Sequence, residues 1–273
     1  MTIRSSSASG NTSLDAVVND FKSEFRLSIP ANARERERAF RLRHDVYCEE
    51  LKYEPPTDAK RRLEYDEFDS HAIHCIIEHL PSAQVAGCMR VVLKGQLQGQ
   101  NSEPHLSLLP LQAYARQRFT HPSLRPEHFP RHSVCEVSRL AVSHVFRKHR
   151  SNVAGIKEED VSVAKGRPRH NPIPVGLSLF FAATAVVGMA QRQHVFAMME
   201  PRFARLLKMS GLAFERIGEL IDYHGPRAPF YIDQHQAERY LPERLVPLYE
   251  HIQQQLRPQL TSAMPHAMDT ATL

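Results

Sequence analysis

The chain has 273 residues, 42% of them hydrophobic and 24% charged, with a formal net charge of +5 at pH 7 and an isoelectric point near 9.1. That length buries a substantial core, as one large domain or two small ones. The modest charge, gathered in short basic runs, excludes wholesale coating of nucleic acid and favours an acidic partner or substrate. The four cysteines, Cys48, Cys75, Cys88 and Cys135, form no CxxC pair and no secreted framework, which reads as reduced thiols in a cytoplasmic protein.

In chain order, residues up to about Thr12 read as a Ser-rich tail without the apolar stretch of a secretion signal. Leu14, Val17, Val18, Phe21 and Phe25 stand at helical spacing, so a short amphipathic helix is expected before Ile29-Pro30 breaks it. Asn32 caps a second helix over about Ala33 to Leu51, whose apolar stripe of Phe40, Val46, Tyr47 and Leu51 also carries Arg43. An Arg there either snorkels to solvent or is a fixed cation facing a cleft. Tyr53 to Leu63, with Pro55-Pro56 and a KRR run, reads as a surface loop. Asp66 and Asp69 then precede a strand at about Ala72 to Glu78. A turn follows, and a second strand at Val85 to Lys94 places Arg90 on one face with Cys88 and Val92. His71, His74 and Cys75 lack a third metal ligand at sensible spacing and read as ordinary strand residues.

Gln96 to Arg131 is polar and Pro-rich with one helical patch, about Leu108 to Phe119, and reads as an insertion on the fold. A strand follows at Val134 to Val142. Phe146 to Pro174 is a long polar stretch with basic RKHR and KGRPRH runs, and a loop of that length inside a compact domain is functional or disordered. Val175 to Gln191 is a buried helix, shorter than the roughly 20 residues of a membrane span. His194 to Glu200 is a strand, and a helix begins at Pro201 and ends at Gly211. Phe214 to Ile221 and Phe230 to Ile232 read as closing strands with YHGPRAP between them, and a last helix spans about Gln236 to Leu256. This order predicts one mixed α/β domain over 31–258, with a tail and short helix in 1–30 and a disordered tail at 259–273.

The strand VCEVSRLAV is the unusual one. Its ends are apolar, but Glu136 and Ser138 share one face and Arg139 takes the other, unless a bulge re-aims one of them. Buried charges need partners. With Arg43, Arg90, Asp66 and Asp69 also on or beside apolar elements, the expectation is that these six charges converge on one cleft, as a structural ion-pair network or as a site.

The spacing of these residues resembles the acyl-homoserine lactone synthases, a branch of the GNAT acyltransferase fold. R-H-D-V-Y supplies Arg43, Val46 and Tyr47, with Tyr for the usual Phe, and Tyr53 stands where the family has a Trp. D-E-F-D supplies Asp66 and Asp69, G-C-M-R the strand arginine Arg90, and E-V-S-R supplies Glu136, Ser138 and Arg139. Length and the YHGPRAPFYI stretch look more like the N-acyl amino acid synthases, and most like the PEP-CTERM/exosortase-associated acyltransferases. The resemblance implies a GNAT-like fold with a mixed central sheet flanked by helices, and transfer of a fatty acyl group to an amine.

For that chemistry, Glu136 is the expected base, assisted by Ser138, with backbone N–H groups from Leu140 to Val142 as oxyanion donors at a bulge. Arg43, Tyr47, Tyr53, Asp66, Asp69, Arg90 and Arg139 are the expected substrate-binding residues. No cofactor is expected beyond an acyl thioester co-substrate. The glycine-rich pyrophosphate loop of coenzyme A users is not evident after Val142. An acyl carrier protein is therefore the expected donor partner, docked on Arg147, Lys148, Arg150, Lys165, Arg167 and Arg169, with a small amine as acceptor, no nucleic acid and no membrane span. Cys135, beside Glu136, invites a nucleophile reading that lacks a neighbouring His. Two alternatives remain: a lactone synthase using S-adenosylmethionine, and a non-catalytic GNAT-like module binding a carrier protein or lipid.

Overall fold

A computed structural model describes residues 18–19, 21–95, 108–147 and 175–263. Its centre is an eight-stranded sheet with strands β1 (Phe25–Ser28), β2 (Ala72–His79), β3 (Gln84–Leu93), β4 (Val134–Val142), β5 (His194–Met199), β6 (Glu215–Arg216), β7 (Ile221–Asp222) and β8 (Pro226–Asp233). They lie in the order β1-β2-β3-β4-β5-β8-β6, with β7 paired to β8. Every pairing is antiparallel except β4 with β5, which is parallel.

The helices are α1 (Ala33–Arg43), which continues as wider π-helical turns over His44–Glu50, α2 (Pro110–Ala115), α3 (Val175–Met189), α4 (Pro201–Met209), α5 (Gln234–Arg239) and α6 (Val246–Ala263). Alternation along the strands divides the apolar side chains between two faces. Cys75, Met89, Val91, Cys135 and Val195 point into the larger core, against α3 and α6. The uniform apolarity of α3 follows from that position: it packs on β2, β3 and β4 and is covered by α5 and α6. Each large apolar side chain buried there stabilises by about 1.5–3 kcal/mol. Among the described residues no helix is long and apolar enough to cross a membrane.

Four expectations change. Phe25 does not end the first helix: residues 21–24 are helical, and Phe25 begins edge strand β1, so the sheet reaches into the 1–30 segment expected to hold only a tail and a short helix. The last helix is two helices, α5 and α6, separated by Pro242, and α6 runs to Ala263 into the expected C-terminal tail. Phe214 to Ile221 is no continuous strand; only Glu215–Arg216 and Ile221–Asp222 pair with β8. The described part of the 96–131 segment is no surface insertion either, because Leu109, Leu111 and Phe119 are buried beneath it against Val134 and Phe196.

Gly211 ends α4 with φ +90, and a Cβ there would lie 2.5 Å from the Tyr240 carbonyl oxygen. Gly211→Ala is therefore expected to destabilise by at least about 1 kcal/mol, measured as a lower midpoint in urea at unchanged slope.

Candidate active site

The second face of the sheet carries two smaller apolar clusters. One is built on Phe68, Val92, Val134 and Phe196, the other on Ala39, Leu42, Ile76 and Cys88. Between them runs an ionic seam. Arg43, 1% exposed, donates from Nε to Glu64 Oε2 at 2.5 Å and from Nη1 and Nη2 to the two oxygens of Asp69 at 2.7 and 3.0 Å. Arg90, also 1% exposed, donates from Nη2 to Asp66 Oδ2 at 2.8 Å, from Nε to the Ser138 hydroxyl at 3.0 Å, and pairs with Asp69 at 2.7 Å. Arg139 reaches Glu54, Glu64 and Asp66 at 3.2, 3.2 and 3.3 Å.

The two aspartates do more than pair. Asp66 caps the short helical turn Glu67–His71 by accepting from the Phe68 amide, and Asp69 accepts from the Asp66 amide, closing a capping box. Burial raises the Asp69 pKa, but Arg43 and Arg90 outweigh it and hold the carboxyl well below the usual range. His74, whose Nε2 lies 3.3 Å from the Asp69 carbonyl, is pushed down to about 4 chiefly by burial.

The seam fixes an irregular backbone. Arg90 stands opposite Ser138 and Cys88 opposite Ala141, so Arg139 and Leu140 together oppose Met89, and Arg139 has φ +50. This is a β-bulge, and it turns the Arg139 side chain onto the face of Glu136 and Ser138. A non-glycine residue there costs about 1–3 kcal/mol and persists only where its surroundings hold it. Here the three carboxylates hold the guanidinium, and the Tyr47 hydroxyl donates to the Leu140 carbonyl at 2.7 Å. Burial pushes the Tyr47 hydroxyl up to about 12, so it remains a donor.

Beyond the bulge the sheet forks. β4 and β5 are paired only over Val134 to Glu136 against His194 to Phe196 and then part. Glu136 is the last paired residue, 1% exposed, and its Oε2 accepts from the Leu111 amide of α2 at 2.8 Å. Burial raises its pKa to about 8 against the smaller opposing effects of that hydrogen bond and of Arg90 and Arg139. Its neighbour Val137 points through the sheet into an apolar cavity lined also by Phe180, Ala183, Val187, Val195 and Ile232.

Arg43, Asp66, Asp69, Arg90, Ser138 and Arg139 thus meet directly, whereas Glu136 lies on the same face without an ion pair to them among the described residues. The arginines are occupied by carboxylates of the chain itself. Tyr53 is elsewhere, stacked on His224 with ring centroids 4.7 Å apart. Arg147 is paired with Glu50, and Lys148, Arg150, Lys165, Arg167 and Arg169 lie outside the described residues. Cys135 is fully buried on the opposite face with its thiol pushed up to about 12, which removes it as a nucleophile. The reading from sequence missed Glu64, 2% exposed, although the acidic run Glu64, Asp66, Glu67, Asp69 held the signal. It also missed Glu54 and Leu111, for which no local pattern exists.

Residues 42–154 match the family described as acetyltransferase (GNAT) domain. The fold is GNAT-like. Three solved structures show the same fold at low identity. TofI, in a ternary complex with an inhibitor and MTA, has a TM-score of 0.54 at 14% identity, over 86% of this chain and 99% of that one. BjaI, a CoA-dependent acyl-homoserine lactone synthase with SAM and isopentyl-CoA, has a TM-score of 0.53 at 17% identity, over 84% and 89%. FeeM, an N-acyl amino acid synthase from uncultured soil microbes, has a TM-score of 0.51 at 14% identity, over 81% and 97%. No curated protein matches the sequence. In this GNAT-like sheet, the bulge and the fork are set side by side in β4, with the ionic seam behind the bulge.

The seam makes stability depend on acid. His74 is neutral in the fold below its ordinary value of 6.5, so its contribution is complete above about pH 6.5 and is lost as pH falls towards 4. Asp69, depressed in the fold, extends the loss below about pH 4. Thermal melting from pH 7 to 3 is expected to show both legs, and His74→Gln to flatten the upper leg alone.

Proposed function

We propose that the protein is an N-acyltransferase that moves a fatty acyl group from a thioester to the amine of an amino acid or related small molecule. The observation that carries this reading is the forked β4, which sets a bulge, a buried carboxyl and an apolar cavity within a few residues of one another. The acyl chain is placed behind Val137, where the cavity of about 20 Å³ must widen between the parted strands to admit it, and the thioester carbonyl lies at the bulge, where backbone N–H groups between Leu140 and Val142 face the developing oxyanion. The amine nitrogen attacks the carbonyl carbon directly. Glu136, through one water, takes the proton that the amine loses. As the tetrahedral intermediate collapses, the C–S bond breaks and the thiolate leaves with that proton. Arg43, Arg90, Asp66 and Asp69 act here by holding the bulge, since their charges are already paired.

The donor is proposed to be an acyl carrier protein, on the strength of the basic runs and the missing glycine-rich loop. The fold shared with a CoA-dependent lactone synthase keeps acyl-coenzyme A and S-adenosylmethionine as the second reading. Incubating the purified chain with octanoyl carrier protein or octanoyl-coenzyme A, and with a mixture of amino acids or S-adenosylmethionine, separates them by product mass. Linear acyl amino acids support the first reading and acyl lactones the second. No amide from any pairing overturns both.

A base held near pH 8 must first lose its own proton, so the rate is expected to rise with pH and level off near 8. Glu136→Gln should lower amide formation by about 10²–10⁴-fold and abolish that limb. Because the buried acid prefers its neutral form, its cost to stability is absent below about pH 4.5 and grows as pH rises to about 8. Glu136→Gln should therefore melt at or above the wild type at pH 8, which a purely stabilising residue would not do. Retained activity in this variant refutes the base assignment.

A further inference from the structure

The arginines of the seam are saturated by carboxylates, but one arginine on the same side of the molecule is not. Arg227, at the start of β8, lies with its guanidinium 5.7 Å from the Tyr53 ring centroid and 6.0 Å from that of Tyr223. Its Nε is buried without a hydrogen-bond partner, and among the described residues no carboxylate pairs with it. Ring faces stabilise the cationic charge, but they leave the fork of N–H donors unsatisfied. A planar fork of that kind matches a carboxylate with two parallel hydrogen bonds.

The surroundings hold Arg227 in place and connect it to the bulge. The β7–β8 turn is pinned by the Gly225 amide donating to Asp222 at 3.2 Å, and His224 within it stacks on Tyr53 at 4.7 Å. The Tyr223 hydroxyl donates to Glu54 at 3.2 Å, and Glu54 pairs with Arg139, the residue that makes the bulge. Tyr223 also packs on Tyr114, whose 46% exposure marks the solvent side of the cluster. An unpaired guanidinium therefore stands at an open rim, linked through Tyr223 and Glu54 to the place where the amine attacks.

We propose that Arg227 anchors the carboxylate of the acceptor and so makes the enzyme select α-amino-acid acceptors over simple amines. The inference rests on the acyl-transfer reading for the nature of the ligand. It assigns the selectivity to the hairpin rather than to the arginines of the seam.

The test is calorimetric binding of N-octanoylglycine and of N-octanoylglycinamide to the full chain, which needs no donor and no turnover. The wild type is expected to bind the acid at least about tenfold more tightly than the amide, the size of a charge-assisted hydrogen bond. Arg227→Gln should bind both with the affinity of the amide. Arg227→Lys, which keeps the charge without the fork, should lose several-fold on the acid alone, and it decides the matter if the Gln variant melts early. A wild type that binds neither compound, or does not discriminate between them, overturns the proposal, as does an Arg227→Gln chain that still discriminates. If Arg227→Gln raises KM for the acyl donor while discrimination persists, the guanidinium holds a donor phosphate and the proposal fails. Discrimination that disappears in Arg227→Gln, in a chain that transfers no acyl group from any donor, leaves the anchor standing and sinks the acyl-transfer reading instead.

Discussion

Three guanidiniums sealed against four carboxylates between two apolar clusters are the constraint on which the rest of this molecule depends. Such a seam is no cheap source of stability, because desolvating the charges offsets much of their attraction. Removing one member, however, strands a buried partner at about 3–5 kcal/mol. The effect is therefore one of geometry. Helix α1, the capped turn at Glu67–His71, the loop that carries Glu54 and Glu64, β3 and β4 are locked in one relative arrangement, since each contributes a charge that the others satisfy.

The locked arrangement supports the positive φ of Arg139. Without Glu54, Glu64 and Asp66 around its guanidinium, and without Tyr47 on the Leu140 carbonyl, a flat β4 would be the easier backbone. The bulge lies just past the fork, where β4 and β5, the one parallel pair in an otherwise antiparallel sheet, part after Glu136. Glu136 and Val137 then occupy opposite sides of the sheet at the same point. An acid kept mostly neutral by burial stands on one side, and an apolar cavity under α3 on the other.

Much of this was legible in the chain. The apolar runs of β2 and β3, the caps at Asn32 and Gly211, and the apolar length of α3 are local signals, and each of these elements lies within a few residues of its expected place. The charged residues of α1, β3 and β4 announced a meeting, because none of them tolerates burial alone. What escaped was set by neighbours distant in sequence. Glu136 accepts from Leu111, 25 residues away, and is thereby separated from the seam that its motif suggested. The segment around α2 reads as polar and Pro-rich, yet a few apolar side chains suffice to seat it over the sheet.

By itself the sequence determined where most of the helices and central strands lie and which charges must be paired, because these follow from periodicity and from the cost of burying an unpaired ion. Only the tertiary structure decided which partners they take. It turned Arg139 onto the face of Glu136 and Ser138 through a bulge, gave Asp66 and Asp69 to a capping box as well as to the arginines, and left Arg227 beside two tyrosine rings with no carboxylate paired to it among the described residues. The reason is physical. Period and polarity act within a few residues along the chain, whereas a hydrogen bond or an ion pair is settled by whichever group the folded backbone brings within about 3 Å.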